Sequence, residues 1–174
     1  NLTLIENKIR SLYDVNGTPV SFIPNGNYNV IRVGESINYI NGLTYAGVHT
    51  ANGNPLYLNA AGQLIQHNIG TNSFHFASSK NDPTLGAQTS LAFKDRSNLG
   101  LALPTYFGGI SNSFSYKGFS LDILIRYSGG NKVMNITRQE ALMNNSFQNN
   151  STEILNRWTK PGQVTDVPRL VWGQ

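Results

Sequence analysis

The chain has 174 residues, which is enough for a single domain with a sizeable hydrophobic core. Only 13% of its residues are charged, and the net charge of +4 is spread without any basic cluster interleaved with aromatics, which argues against nucleic-acid binding. Because the chain contains no cysteine, disulfides and thiolate metal sites are excluded.

Hydropathy also limits how the chain could meet a membrane. No apolar run approaches the roughly twenty residues of a membrane helix, so strands are the elements with which this sequence could span a bilayer. The sequence begins at Asn1 without an initiator methionine or signal peptide and ends at Gln174 without a terminating element. These features predict that it is a piece of a larger protein.

The first hundred residues predict short strands separated by turns rich in Asn, Gly and Pro. The β-prone segments are residues 1–12, Val20–Ile23, Tyr28–Val33, Leu64–Gln66 and Phe74–Phe76. Turn signals on both sides of Pro55–Leu58 predict a small hairpin within a loop. Residues 80–99 are polar and lack periodicity, so a loop is expected there.

The next segment, from Tyr106 onward, alternates strictly with period two on both sides of Lys117 and Gly118. One face carries Tyr106, Gly108, Ile110, Asn112, Phe114 and Tyr116 in the first run, and Phe119, Leu121, Ile123, Ile125 and Tyr127 in the second. Successive strand side chains point to opposite faces, so the pattern predicts two antiparallel strands of about ten residues each. The short link predicts a tight turn with Gly118 at positive φ.

Two interpretations of this hairpin stay open on the residues alone. In a soluble β-sandwich its apolar face would cover a core. In an outer-membrane barrel the same face would meet lipid, and the strand length and the aromatics at both ends favour this interpretation. The opposite face, mostly Ser and Gly with Asp122 and Arg126, suits a wet lumen, where those two side chains would form an ion pair.

The sequence changes character after the hairpin. Thr137–Met143 and Ser151–Trp158 predict short helices, the second of them capped by Asn150 or Ser151 and followed by Pro161 and Gly162.

Candidate chemistry is sparse. His49, His67 and His75 are dispersed without metal-ligand spacing, and the carboxylates are too scattered to suggest an acid/base pair. We therefore predict no enzyme activity, no catalytic or metal residues and no cofactor. Trp158 and Trp172 could stack on sugar rings, but anchoring of loop structure is the favoured interpretation.

Four motifs resemble those of SusC/RagA-type TonB-dependent outer-membrane transporters, and they occur in that family's order. They are Val33–Ile37 followed by Tyr45–Gly47; Gly53–Tyr57 with Gly62; Leu103–Leu121, which contains PTYFGGISNSFSYKGFSL; and Arg157–Gly162 followed by Thr165–Arg169. Together they cover most of residues 30–170.

The resemblance implies an all-β fold. The whole chain, residues 1–174, would be part of a partial antiparallel transmembrane β-barrel taken from a 22-stranded barrel. Within it, 13–104 would supply strands and extracellular loop hairpins, 105–128 a membrane-length hairpin, and 129–174 an extracellular loop with short helices. No plug domain or TonB box is recognisable. The residues expected to face lipid are Ile110, Phe114, Leu121, Ile123 and Ile125.

The resemblance also implies a function for the whole protein. Members import glycans, peptides or similar nutrients across the bacterial outer membrane, beneath a SusD-like surface lipoprotein that acts as a lid. TonB supplies energy through the plug. The family has no catalytic residues, and its ligand contacts vary between members, so no substrate-binding residue is assigned.

The main alternative is a stand-alone secreted β-rich module, either carbohydrate-binding or an adhesin, which would bury the apolar face of 106–127 in a soluble core. A small eight-stranded barrel is disfavoured, because the sequence predicts one pair of membrane-length strands. Since a barrel segment leaves unpaired strand edges, we also predict that the isolated chain self-associates.

Overall fold

The computed structural model describes residues 1–26, 28–143 and 149–171. Its strands are β1 Leu2–Leu4, β2 Asp14–Val15, β3 Thr18–Pro19, β4 Phe22–Asn25, β5 Asn29–Arg32, β6 Tyr39–Gly42, β7 Thr44–Val48, β8 Pro55–Leu58, β9 Leu64–Asn68, β10 Ser73–Phe76, β11 Gln88–Thr89, β12 Ser97–Leu101, β13 Tyr106–Tyr116 and β14 Phe119–Gly129. Helix α1 covers Ile136–Met143, and 3₁₀ turns cover Phe93–Asp95 and Thr152–Asn156. None of the helices among these residues is long and apolar enough to cross a membrane.

The chain divides into two compact units. Unit 1 comprises Asn1–Asn41 and Asn98–Met134, and unit 2 comprises Gly42–Ser97 and Asn135–Gln174. In the described part of the chain, the strands form four open sheets.

Unit 1 contains the long hairpin. Strands β1, β13 and β14 form a sheet in that order, with β13 and β14 paired antiparallel from Tyr106 and Gly129 to Tyr116 and Phe119. A second sheet orders the strands β12-β6-β5-β4. Val30 of β5 pairs with Tyr39 of β6, and both side chains are fully buried, so this pair lies at the centre of the small core of unit 1.

Unit 2 is built on a five-stranded antiparallel sheet with the order β11-β10-β9-β8-β7. Leu56 on β8 and Ile65 on β9 are fully buried and form its core. The register of β7 against β8 shifts between Tyr45 and Gly47, which is a β-bulge.

Several elements differ from the sequence predictions. The strand expected over residues 1–12 is limited to Leu2–Leu4, because the chain then leaves the sheet and the Ile9 N–H donates to the Glu35 carbonyl at 2.9 Å. The segment Pro55–Leu58 is an inner strand of the five-stranded sheet instead of a small loop hairpin. Residues 80–99 include β11, a 3₁₀ turn and the start of β12, although they show no periodicity.

The second predicted helix is also shorter than expected. It is a 3₁₀ turn, Thr152–Asn156, capped by the Ser151 hydroxyl, which accepts from the Glu153 N–H at 3.1 Å. The helix does not continue because the Trp158 N–H donates to the Val167 carbonyl at 2.9 Å instead of to its own turn. This tertiary hydrogen bond overrides the helical preference of the segment.

Candidate functional site

The 106–129 hairpin has the register that the alternating pattern predicts. Ile110 lies opposite Ile125, Asn112 opposite Ile123, and Phe114 opposite Leu121. Residues directly opposite in an antiparallel pair share a face of the sheet, so the apolar side chains of both strands form one continuous surface.

This surface, which we call the apolar face, is exposed. The exposed fractions are 58% for Ile110, 54% for Phe114, 57% for Leu121, 41% for Ile123 and 54% for Ile125. Soluble monomeric proteins rarely expose contiguous apolar patches larger than a few hundred Å². The structure thus places all five predicted lipid-facing residues on one exposed surface.

Aromatic residues lie at both ends of the apolar face. Tyr116 and Phe119 are paired beside the turn, and both are exposed. At the other end the Tyr106 hydroxyl lies over Gly129, and Tyr127 lies over Gly108, at positions where a β-carbon would collide with the rings. The glycines thus make room for aromatics that extend along the sheet surface.

The other face of the hairpin carries smaller and more polar side chains. On that face Ser113 pairs with Asp122, and Ser115 pairs with Ser120. The expected ion pair between Asp122 and Arg126 is absent among the described residues. Four residues along a strand span about 13 Å, which is too far for the pair to form within one strand. The same face also carries Leu124, which is 61% exposed.

The turn of the hairpin has positive φ at both central residues, 45° at Lys117 and 87° at Gly118. Two-residue type I′ turns require this combination, because their twist matches that of the strands. The predicted positive φ of Gly118 is confirmed, whereas that of Lys117 was not foreseen.

Strand β1 extends the apolar face in a way that the sequence did not reveal. Leu2 lies opposite Gly108 and Leu4 opposite Tyr106, and both leucines are exposed. No local signal could have identified this pairing, because the partners are about a hundred residues apart.

The three histidines make local contacts. His49 is buried, and its Nε2 lies 2.7 Å from the Asp82 carbonyl oxygen. His67 stacks on Phe74 with the ring centroids 4.6 Å apart, and the His75 Nδ1 lies 3.0 Å from the Gly86 carbonyl.

A cavity of about 560 Å³ lies within unit 2. Its apolar wall includes Tyr45, Tyr57, Ile69, Leu142, Ile154 and Pro168. Polar groups in the same lining come from His67, Asn72, Arg138, Gln139, Asp166 and Arg169. The volume falls in the range of small-molecule sites, and a mostly apolar wall with a few polar groups is their usual composition.

Parts of three of the four motifs that carried the family resemblance line this cavity: Tyr45 from the first, Pro55 and Tyr57 from the second, and residues 166–169 from the last. The Tyr45 and Tyr57 rings make an edge-to-face contact with centroids 5.9 Å apart, and the Tyr45 hydroxyl donates to the Asp166 carbonyl at 2.7 Å. Burial raises the pKa of Tyr45 above its usual value, and the neighbouring Tyr57 and the Asp166 charge add to the shift. Burial also raises the pKa of Tyr57. Both phenols therefore remain neutral donors at physiological pH.

Trp158 anchors this unit. Its indole Nε1 donates to the Thr50 carbonyl at 2.9 Å, and its ring packs on Gly53, where a β-carbon would lie 2.5 Å from Cε3. The Arg169 N–H donates to the Gly53 carbonyl at 3.0 Å. The predicted anchoring role of Trp158 is confirmed, while Trp172 lies outside the described residues.

The two arginines of the cavity differ in their partners. Arg138 Nε donates to both carboxylate oxygens of Glu153, at 2.9 and 3.2 Å, so its charge is neutralised. Arg169 Nη2 makes one long contact of 3.4 Å with Asn68 Oδ1, and its buried Nε has no partner among the described residues. Within that part of the chain no carboxylate forms a salt bridge with Arg169.

Comparison with known proteins relates the chain to one class of transporter. No family model matches it. It is 25% identical over 146 residues to TonB-dependent receptor P3 of Formosa agariphila, which covers 80% of this chain and 13% of the relative. TonB-dependent receptor P26 of the same organism is 24% identical, and the alignment covers 83% of this chain and 13% of the relative. TonB-dependent receptor P39 is 33% identical over 82 residues, which are 45% of this chain and 8% of the relative.

Two solved structures share the fold. The RagAB peptide transporter aligns with a TM-score of 0.63 at 24% identity, covering 90% of this chain and 16% of that one. The RagAB peptide importer in its "open-open" state aligns with a TM-score of 0.62 at 22% identity. This alignment covers 96% of this chain and 16% of the importer chain.

These similarities confirm the resemblance to TonB-dependent transporters and the antiparallel all-β fold class. The chain spans only 13% or less of the length of the receptors it matches.

Proposed function

We propose that this chain is a segment of a TonB-dependent outer-membrane transporter of the SusC/RagA type, in which residues 106–129 cross the membrane as a hairpin. The observation that carries the proposal is the exposed apolar face on two paired strands of 11 residues each. Transmembrane strands need about 9–11 residues, apolar on the lipid side and flanked by aromatics.

The hairpin suggests a topology for the rest of the chain. Lys117 and Gly118 would form a short periplasmic turn, and the segments 13–104 and 129–174 would include extracellular loops, because both leave the hairpin at the end away from the turn. Short periplasmic turns and long extracellular loops are typical of outer-membrane barrels.

In the intact protein the proposed activity is import of glycans, peptides or similar nutrients, driven by TonB through a plug domain and covered by a SusD-like lipoprotein. Support comes from the receptors and from the RagAB transporter to which the chain is similar. The proposal includes no catalytic step and no cofactor.

The alternative, a stand-alone secreted module, requires the apolar face to be buried in a soluble core. The exposure of all five residues of that face, together with the resemblance to transporters, favours the membrane interpretation.

Single cysteines test this topology, since the chain has no cysteine of its own. In the intact protein, freed of other cysteines and expressed in a Gram-negative host, Ala61→Cys should react with an impermeant maleimide on whole cells. Lys117→Cys should react only after the outer membrane is permeabilised. Ile123→Cys should stay unlabelled by hydrophilic maleimides even after permeabilisation, because lipid excludes the reagent and disfavours the reactive thiolate.

Leu124→Cys, on the opposite face, is the matched control and should accept a small hydrophilic reagent. Equal labelling of Ile123→Cys and Leu124→Cys by hydrophilic reagents would contradict a lipid-facing surface.

A further inference from the structure

Arg169 holds a charge that the described part of unit 2 leaves without a counter-ion. A guanidinium has five N–H donors, and this one uses a single 3.4 Å contact within that part of the chain. Its Nε is enclosed by protein, while the residue as a whole is half-buried. A partly buried cation without a carboxylate is costly unless an anion joins it.

The remaining charges of the cavity single out Arg169 as the anion-binding group. Arg138 is already paired with Glu153. Asp166 lines the same cavity with the opposite charge, and its backbone carbonyl accepts from Tyr45. A bound anion would therefore be drawn to Arg169 and away from Asp166, which fixes the direction of an elongated ligand.

The wall indicates the rest of the ligand. Ile69, Leu142, Ile154 and Pro168 are apolar. The Tyr45 and Tyr57 rings meet at 62° and cover one another's edges, so they do not form the open, flat platform on which a sugar ring would stack. The wall thus suits an aliphatic or aromatic body.

We propose that the cavity of unit 2 binds an organic carboxylate with an apolar body, the carboxylate on Arg169 and the body against the tyrosines, Leu142 and Ile154. The end of a short apolar peptide has this chemistry. That such a ligand is part of the imported substrate rests on the proposed function, whereas the binding itself does not.

The test is calorimetric titration of the intact protein that contains this chain, solubilised in detergent, with acetyl-leucyl-phenylalanine and with its C-terminal amide, taken into the millimolar range. The free acid should bind at least about tenfold more tightly than the amide, because the amide cannot pair with the guanidinium. Equal affinities, or no binding of the acid, would overturn the proposal.

Variants then assign the groups. Arg169→Gln should abolish the preference for the acid, whereas Lys160→Gln, the same charge change in the same unit but outside the cavity lining, should preserve it. Leu142→Asn should weaken acid and amide alike. A preference for the acid that survives in Arg169→Gln would overturn the assignment.

One further outcome separates the sources of a carboxylate. Binding of trigalacturonate in place of the dipeptide acid would support an anion-binding site but refute the apolar body of the ligand.

Circular dichroism checks that each variant is folded. The comparison of acid with amide in the unchanged protein does not depend on any variant. Failure of the cysteine-labelling experiment would leave this binding result standing, so the two proposals can fail separately.

Discussion

Gly53 is constrained twice, by its backbone and by its neighbours. Its φ of +74° is a conformation that side chains with a β-carbon rarely adopt, and the space where that carbon would lie is occupied by Trp158 and Arg169. This residue lets the segment before β8 approach the indole ring closely. It therefore connects two of the motifs that identified the family.

The first prediction separates these two constraints. Gly62 has the same φ of +74° but nothing within 4 Å of its missing β-carbon, so it is a matched control. Gly62→Ala should cost about 1 kcal/mol of unfolding free energy, from backbone strain alone. Gly53→Ala should cost roughly 1–3 kcal/mol more, because overpacking is added. Urea denaturation measures both, and equal costs would contradict the packing role.

A second prediction concerns the apolar face. In the intact protein, Ile123→Arg should destabilise the fold by about 2–4 kcal/mol if the side chain meets the middle of the bilayer. Leu124→Arg, one residue further along β14 and on the other face, should have a much smaller effect. Denaturant-induced unfolding from lipid vesicles measures both, and a negligible effect of Ile123→Arg would indicate a solvated face.

A third prediction concerns acid stability. Asp82 accepts hydrogen bonds from the Ser78 hydroxyl and the Thr84 N–H, which lower its pKa to about 2. The unfolded value is about 3.9, so the contribution of Asp82 to stability is complete above that pH and disappears as the pH falls to about 2. In Asp82→Asn the thermal midpoint should fall less between pH 4 and pH 2, and identical profiles would contradict this.

At the level of elements, the hairpin could be predicted because its information is local. Alternation fixes which residues share a face, and the Lys117-Gly118 turn fixes the register, so the pairing of Ile110 with Ile125 follows from the sequence. The sequence does not predict that this face is exposed, because a strand that covers a protein core and a strand that faces lipid have the same alternating pattern.

The five-stranded sheet of unit 2 could not be predicted, because the information that forms it is not local. Its strands have two to five residues, too few to show a period, and β8 becomes an inner strand only through pairing with β7 and β9. The candidate cavity was equally hidden. Tyr45 and Asp166 are more than a hundred residues apart in the sequence. The motifs that contain Tyr45, Tyr57 and Asp166 give no indication that these three residues lie close together.

For the molecule as a whole, the outer edge of β14 is the feature that governs behaviour in solution. The sheet order places this strand of 11 residues at an edge, beside an exposed apolar face. An open edge invites pairing with a second chain. We expect the isolated chain to self-associate in dilute buffer, as measured by light scattering after gel filtration, and a strictly monomeric chain would contradict this.

A double variant, Leu121→Thr with Ile123→Thr, distinguishes the causes of that association. It places β-branched residues, which suit a strand, at both positions but removes apolar area, so it should weaken association if the apolar face drives it. Leu124→Thr on the other face is the control. Association that the double variant leaves unchanged would assign the effect to the strand edge.

The pairing of β1 with β13 has a consequence for the order of folding. The two strands of the hairpin are joined by two residues and can pair within microseconds, whereas pairing of β1 with β13 closes a loop of about a hundred residues. Loop closure costs more conformational entropy for the longer connection. Of these two pairings, the one between β1 and β13 is therefore expected to form later.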